Sequence, residues 1–128
     1  LDTHTWIWAN MRPQNLSGRV KSLLQNSARF EELLLSAISP WEFCNLYYKG
    51  KLGISCDPVE WMRNACEMAK FRLVPLSLTV ALRSTTLPAP FHQDPADQII
   101  VATAREENAT IITKDRLIRA YPHVRTFW

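Results

Sequence analysis

Apolar residues recur along this chain in two rhythms, short unbroken runs and stripes at helical spacing. Leu33 to Ile38 (Leu-Leu-Leu-Ser-Ala-Ile) is a compact apolar run that predicts a strand buried on both faces. Phe71 to Leu76 predicts a second strand with Pro75 near its end, and Ala109 to Thr113 a β-branched third. Leu1-Asp2 reads as the end of a further strand, and Val124 to Trp128 as an edge strand. Between them lie helical stripes. Thr3 to Ala9 is apolar enough for a helix with Asp2 or Thr3 as its cap. In Ser17 to Asn26, Ser17 caps, Val20, Leu23 and Leu24 face inward, and Arg19 and Lys21 face water. Ser77 caps a helix to about Ser84. Strands alternating with helices predict an α/β protein with a central, mostly parallel sheet and helices on both faces.

The helix starts add chemistry to this outline. In Asp94-Pro95-Ala96-Asp97, Asp94 suits the N-cap, Pro95 the first helical position, and Asp97 the third, so both carboxylates can point the same way. The helix continues to about Asn108 and is apolar on nearly every side. Asp57-Pro58-Val59-Glu60 repeats the signal, ahead of a stripe of Trp61, Ala65, Met68 and Ala69. Ser39-Pro40-Trp41-Glu42 has the capping-box pattern and opens a helix to about Lys49. Asp115 suits the cap of a short helix from Arg116 to Ala120.

Capping accounts for each of these acids separately. It does not account for their recurrence after strands: Asp2 follows the first, Glu42 comes just after the second, and Asp115 follows Ile111-Ile112. Ligands in such folds gather at the carboxyl ends of the strands. Like charges about 5 Å apart, at an effective dielectric of about 20, repel by roughly 3 kcal/mol per pair. If Asp2, Glu42, Asp94, Asp97 and Asp115 meet there, the cluster stays ionised only around a cation. An oxygen donor set suits Mg²⁺ or Mn²⁺.

Composition narrows the possibilities. The 128 residues predict one domain spanning 1–128, and 47% hydrophobic with 21% charged residues is ordinary globular material. A net charge of +3 is too small to establish a nucleic-acid partner by itself. The longest apolar run, Ile99 to Ala104, is broken by Thr103 and far too short to span a membrane. No signal peptide is visible, and the start at Leu1 without Met leads us to expect a few preceding residues. Cys44, Cys56 and Cys66 form no C-x-x-C pair, which points to a reducing compartment, with cytoplasm as the default. His4, His92 and His123 share no zinc-ligand spacing and read as structural or incidental, as do the cysteines.

Leu1-Asp2-Thr3-His4-Thr5, Ser39-Pro40-Trp41-Glu42, Asp94-Pro95-Ala96-Asp97-Gln98 and Thr113-Lys114-Asp115 resemble, in order and spacing, the four acidic motifs of PIN domains. The likeness is strongest to the VapC-type toxins of bacterial type II toxin–antitoxin pairs, and it runs nearly end to end, Phe127-Trp128 included. It implies a three-layer α/β/α fold and a Mg²⁺-dependent endoribonuclease, which hydrolyses RNA with a metal-activated water to leave 5′-phosphate and 3′-hydroxyl ends. By motif, Asp2, Glu42, Asp97 and Asp115 would be the acidic quartet, with Asp94 a neighbouring ligand or outer acid. Thr113 and Ser39 would be supporting residues. Gln98 stands where many relatives carry Arg, so any ion pair expected of that position is in doubt. The partners implied are an RNA substrate, a VapB-like antitoxin whose C-terminal segment covers the acids, and a second copy of the chain in a homodimer.

RNA also requires phosphate contacts. Lys49 shares a helical stripe with Glu42 and Asn45, and Lys51, Arg12, Lys114 and Arg116 are further candidates near strand–helix edges; each could equally be a solvated surface charge. Trp6 and Trp8, two apart, cannot both face one core, which leaves one to line a groove. The competing reading is a PIN-like module that binds RNA or a partner without cutting it. A receiver-like phosphoacceptor would need adjacent acids after its first strand, and here Thr3 follows Asp2. A structure-specific DNA nuclease would need elements for which the chain lacks room.

Overall fold

A computed structural model of the chain describes residues 1–30, 33–67 and 71–128. Among these residues it contains seven α-helices: α1 (Thr3–Met11), α2 (Gly18–Phe30), α3 (Ile38–Tyr48), α4 (Pro58–Glu67), α5 (Leu78–Thr85), α6 (Pro95–Glu106) and α7 (Arg116–Ala120). The strands are β1 (Leu33–Ser36), β2 (Phe71–Val74), β3 (Ile111–Ile112) and β4 (Thr126–Phe127). Met68 and Ala69, placed on the stripe of the fourth helix, lie outside the described residues.

All strand pairing among the described residues is parallel, in two pairs. β1 pairs with β2 in the register Leu33 to Phe71 through Ser36 to Val74, and β3 pairs with β4 through Ile111 to Thr126 and Ile112 to Phe127. Leu1-Asp2 lies between the pairs and bonds to both. The Leu1 amine donates to the Leu34 carbonyl at 2.6 Å and the Asp2 amide to the Ile112 carbonyl at 3.2 Å. The expected central arrangement is therefore present as two short parallel ladders joined through this dipeptide. A cavity of about 620 Å³ lies beside this junction, lined by Leu1, Leu34, Ile100, Thr103, Ile111 and Phe127, and it includes none of the five acids.

The strand pleat explains the layering. Ile111 packs with Ile100, Val101, Ala104 and Ile118 of α6 and α7, while its neighbour Ile112 packs with Leu16 and with Val20 of α2. Leu35 joins Trp6, Phe43 and Met62 of α1, α3 and α4, whereas Ser36 turns the other way, 3.1 Å from Thr103 Oγ1 of α6. Successive side chains alternate between the two helix layers, as strand geometry requires. The Trp6 cluster is aromatic at its centre. The Trp6 ring meets Phe43 and Trp61 edge-on at 5.8 and 5.5 Å, and Phe43 stacks on Trp61 at 4.6 Å. Such contacts add specific geometry to a large buried area.

The helix starts follow local chemistry with one exception. Ser17 Oγ accepts from the Val20 amide, Ser77 Oγ from Val80, and Asp57 Oδ1 from Val59 and Glu60. The capping box expected of Ser39 and Glu42 does not form. The helix begins two residues earlier than that box would start it, at Ile38, with Ala37 as its cap and no side-chain capping bond. Ser39 therefore sits inside the first turn, fully buried, with its Oγ 2.9 Å from Thr3 Oγ1. Glu42 has no capping role in this helix. The first two strands are also shorter than their apolar runs: Ala37 is already in helical geometry, and β2 ends at Val74 ahead of Pro75.

Candidate active site

Five carboxylates reach one region from four parts of the chain. Asp2 precedes α1, its Oδ1 capping the His4 amide at 3.3 Å. Its Oδ2 accepts a hydrogen bond from the buried Thr113 hydroxyl at 2.7 Å, and Thr113 Oγ1 in turn accepts from the Asp115 amide at 2.9 Å. That relay ties the end of β3 to the start of α1 and fixes the direction of the Thr113 proton. Asp94 caps α6 through Oδ1, which accepts from the Ala96 and Asp97 amides at 2.9 and 3.2 Å. Asp115 caps α7 in the same way, from Leu117 and Ile118 at 2.8 and 3.0 Å. Both caps use one oxygen and leave the other for the pocket.

The electrostatics show that the acids share one space. The Asp97 carboxyl is pushed up to about 7, first by burial and then by the negative charges of Asp94, Asp2, Asp115 and Glu42. Glu42 is pushed above the usual carboxylate range, again by burial first; the Thr3 side chain and His4 oppose the shift, and Asp2 and Asp94 add to it. Like charges and desolvation both disfavour ionisation here. A group of carboxylates in this condition is a site that calls for a cation, and its oxygen donors fit a hard divalent ion. His92, Asp97 and Asp115 each offer a ligand atom, and those atoms lie within 4.8 Å of one another.

His92, incidental by its spacing in the sequence, belongs to this site. Its Nε2 is 3.3 Å from Asp97 Oδ2, and its ring packs on Phe91 with centroids 4.4 Å apart. The signal for it is its position two residues ahead of the Asp94 cap, which places an imidazole at the mouth of α6. Thr3 is likewise more than a candidate cap, since it touches both Ser39 and Glu42.

The basic candidates divide. Lys114 and Arg116 flank Asp115 directly, both exposed, and Lys114 Nζ is 5.8 Å from the centre of the Trp8 ring. Lys49 caps the far end of α3 and Arg12 the far end of α1, with Lys51 just beyond Lys49. At 1.5 Å per residue Lys49 is roughly 10 Å along the helix axis from Glu42, and Arg12 roughly 15 Å from Asp2. These three are brought to the surface but not to the acids. Trp6 is buried, while Trp8 is half-buried and meets Trp128 edge-on at 5.9 Å, which separates the two rings as expected.

An α/β protein with parallel strands and a nest of carboxylates beside the ends of those strands is the class of molecule that fold and site define. Residues 1–124 match the model of the PIN domain, and the chain belongs to that family. It is 32% identical over 130 residues to Ribonuclease VapC22 of Mycobacterium tuberculosis, covering all of this chain and 96% of that protein. Two solved structures share its fold. One is VapBC2 from Rickettsia felis bound to a promoter DNA fragment, with a TM-score of 0.71, 15% identity and coverage of 98% of this chain and 93% of that one. The other is a toxin–antitoxin complex from Klebsiella pneumoniae, with a TM-score of 0.64, 22% identity and coverage of 96% and 92%. Among the described residues no helix is long and apolar enough to cross a membrane.

Proposed function

We propose that this chain is a metal-dependent endoribonuclease that acts as the toxin of a toxin–antitoxin pair in the cytoplasm. The observation that carries this reading is the approach of five carboxylates from four parts of the chain, where burial first and then the charges of Asp94, Asp2, Asp115 and Glu42 push the Asp97 carboxyl up to about 7. Asp2, Glu42, Asp97 and Asp115, with Asp94 beside them, would hold Mg²⁺ or Mn²⁺. When bound, such an ion supplies a nucleophile by lowering the pKa of a coordinated water and steadies charge on the leaving oxygen.

The rest is done by the protein's own side chains. Thr113 keeps the Asp2 carboxylate oriented by donating to Oδ2, and is itself fixed by the Asp115 amide. Asp94 and Asp115 are held rigid as helix caps, so their second oxygens need little reordering to meet a ligand. Lys114 and Arg116, exposed beside Asp115, would take RNA phosphates next to the acids. Lys49, Lys51 and Arg12 would serve more distant phosphates of a longer strand.

A VapB-like antitoxin is the partner this reading assigns, by likeness to the VapBC complex that shares the fold. Exposed leucines on and just before α5 support the homodimer of this reading. Leu78 and Leu82 lie one turn apart, 76% and 60% exposed, next to a 48% exposed Leu76. An apolar face of this kind fits a second copy of the same surface.

The test is RNA cleavage with and without Mg²⁺, comparing the parent with Asp97→Asn. Cleavage that needs the ion and is lost in the variant supports the reading. Activity that persists without divalent metal, or is undiminished in the variant, overturns it, and RNA binding without any cleavage would favour a non-catalytic module.

A further inference from the structure

We propose that His92 is a positioning residue of this site: its neutral imidazole holds the Asp97 carboxylate through Nε2–H, and Gln98 holds His92. The proposal rests on the reading of Asp97 as a metal ligand and adds to it a group from outside the acidic motifs.

The tautomer is set by the backbone. The Asp94 amide points at His92 Nδ1 at 3.4 Å. An N–H can approach only a nitrogen that carries a lone pair, so the proton of a neutral ring sits on Nε2. That Nε2 is buried and makes no well-aligned hydrogen bond, and the acceptor set against it is Asp97 Oδ2, 3.3 Å away. A movement of a few tenths of an ångström, of the kind ligand binding induces, turns this contact into a charge-assisted bond. It would fix one oxygen of Asp97 and leave the other directed to the ion.

The loop that carries His92 is built to hold it there. Gln98 Nε2 donates to the His92 carbonyl at 3.2 Å, closing the loop onto the first turns of α6. The Phe91 ring wedges between His92 at 4.4 Å and Tyr121 at 4.6 Å, and the Tyr121 hydroxyl donates to the Pro88 carbonyl at 2.8 Å. Gln98 therefore has a task in holding the loop that carries the imidazole, and in this chain the donor set against the acid comes from His92 rather than from position 98. Hydrogen-bonded partners of metal-binding carboxylates are what give such ligands their orientation.

The experiment measures Mn²⁺ binding by electron paramagnetic resonance on the whole protein, with metal-free thermal melts as the control for folding. His92→Leu should bind Mn²⁺ about 10-fold more weakly, the lower end of what loss of an outer partner costs. His92→Gln, whose amide nitrogen can reach the place of Nε2, should bind within about 3-fold of the parent, and Gln98→Ala should fall between them. Unchanged binding in His92→Leu, or His92→Gln no better than His92→Leu, overturns the proposal while leaving the nuclease reading intact. So does ¹⁴N modulation from an imidazole on bound Mn²⁺, which would make His92 a direct ligand. A parent that binds no Mn²⁺ overturns both.

Discussion

Two helices of this protein open with the same four-residue signal and end up in different chemistry. α4 begins Asp57-Pro58-Val59-Glu60 and α6 begins Asp94-Pro95-Ala96-Asp97. Each Asp caps two amides with one oxygen, at 2.9 and 2.9 Å in α4 and at 2.9 and 3.2 Å in α6. The third-position acids then part. Glu60 is exposed to water at the outer end of α4, whereas Asp97 is largely buried among four other carboxylates. Local sequence starts a helix equally well in both places. What differs is the packing: α6 lies against α5, α3, β1 and Ile111 of β3, and the same signal there sits among the other acids.

The largest effect that can break this comparison is on activity. If Asp97 is a metal ligand as proposed, Asp97→Asn should lower RNA cleavage roughly 1,000-fold or more, about 4 kcal/mol in the barrier, because losing a ligand costs more than losing an outer partner. Glu60→Gln should leave the rate unchanged. Equal rates in parent and Asp97→Asn would remove the distinction between the two helices.

The second effect is on stability against pH in the metal-free protein. The folded value of Asp97, about 7, lies above its ordinary 3.8. From about pH 4 to about pH 7 the unfolded chain gives up this proton first, so folding stability falls as pH rises through that window and levels off above it. The loss is on the order of 3 kcal/mol, since a tenfold change in proton affinity is worth about 1.4 kcal/mol and residual contact with solvent screens part of the total. Thermal melts without divalent ions should therefore drop between about pH 4 and about pH 7, Mg²⁺ should reverse the drop, and Asp97→Asn should flatten it. A metal-free Tm that rises with pH over that range would contradict the crowding of charge at α6.

Much of the site is readable from the residues because it is local. Asp2, Asp94 and Asp115 cap the helices they precede, and caps depend on a few neighbouring amides. The acids after β1 and β3 follow the rule that ligand sites lie beyond strand ends, and the electrostatics bring them together. Ser39 departs from its capping pattern for a tertiary reason: Thr3, thirty-six residues away in sequence, draws its hydroxyl into the core, and the helix starts at Ile38 instead. His92 escapes a reading by spacing for the same kind of reason. Its orientation depends on Gln98 and, through Phe91, on a Tyr121 that reaches back thirty-three residues to Pro88. The short ladder of β3 with β4 is likewise set by the partner strand, with Ile111 facing Thr126 and Ile112 facing Phe127.

The remaining predictions separate cap from ligand within the shared signal. Asp57→Ala and Asp94→Ala should each destabilise the protein by about 1 kcal/mol in urea titrations, the ordinary cost of a lost N-cap. In α6 the loss is offset by relief of the charge that Asp94 places on Asp97, so the effect of Asp94→Ala should be the smaller of the two. Asp94→Asn isolates that second contribution. Asn caps about as well as Asp, so the helix start survives, while one negative charge leaves the pocket. Metal-free stability at about pH 7.5 should then stay level or rise by a few tenths of a kcal/mol, and Mn²⁺ binding should weaken several-fold because the pocket has lost charge. If Asp94→Asn binds Mn²⁺ as tightly as the parent, Asp94 does in α6 only what Asp57 does in α4, and the difference between the two helices rests on Asp97 alone.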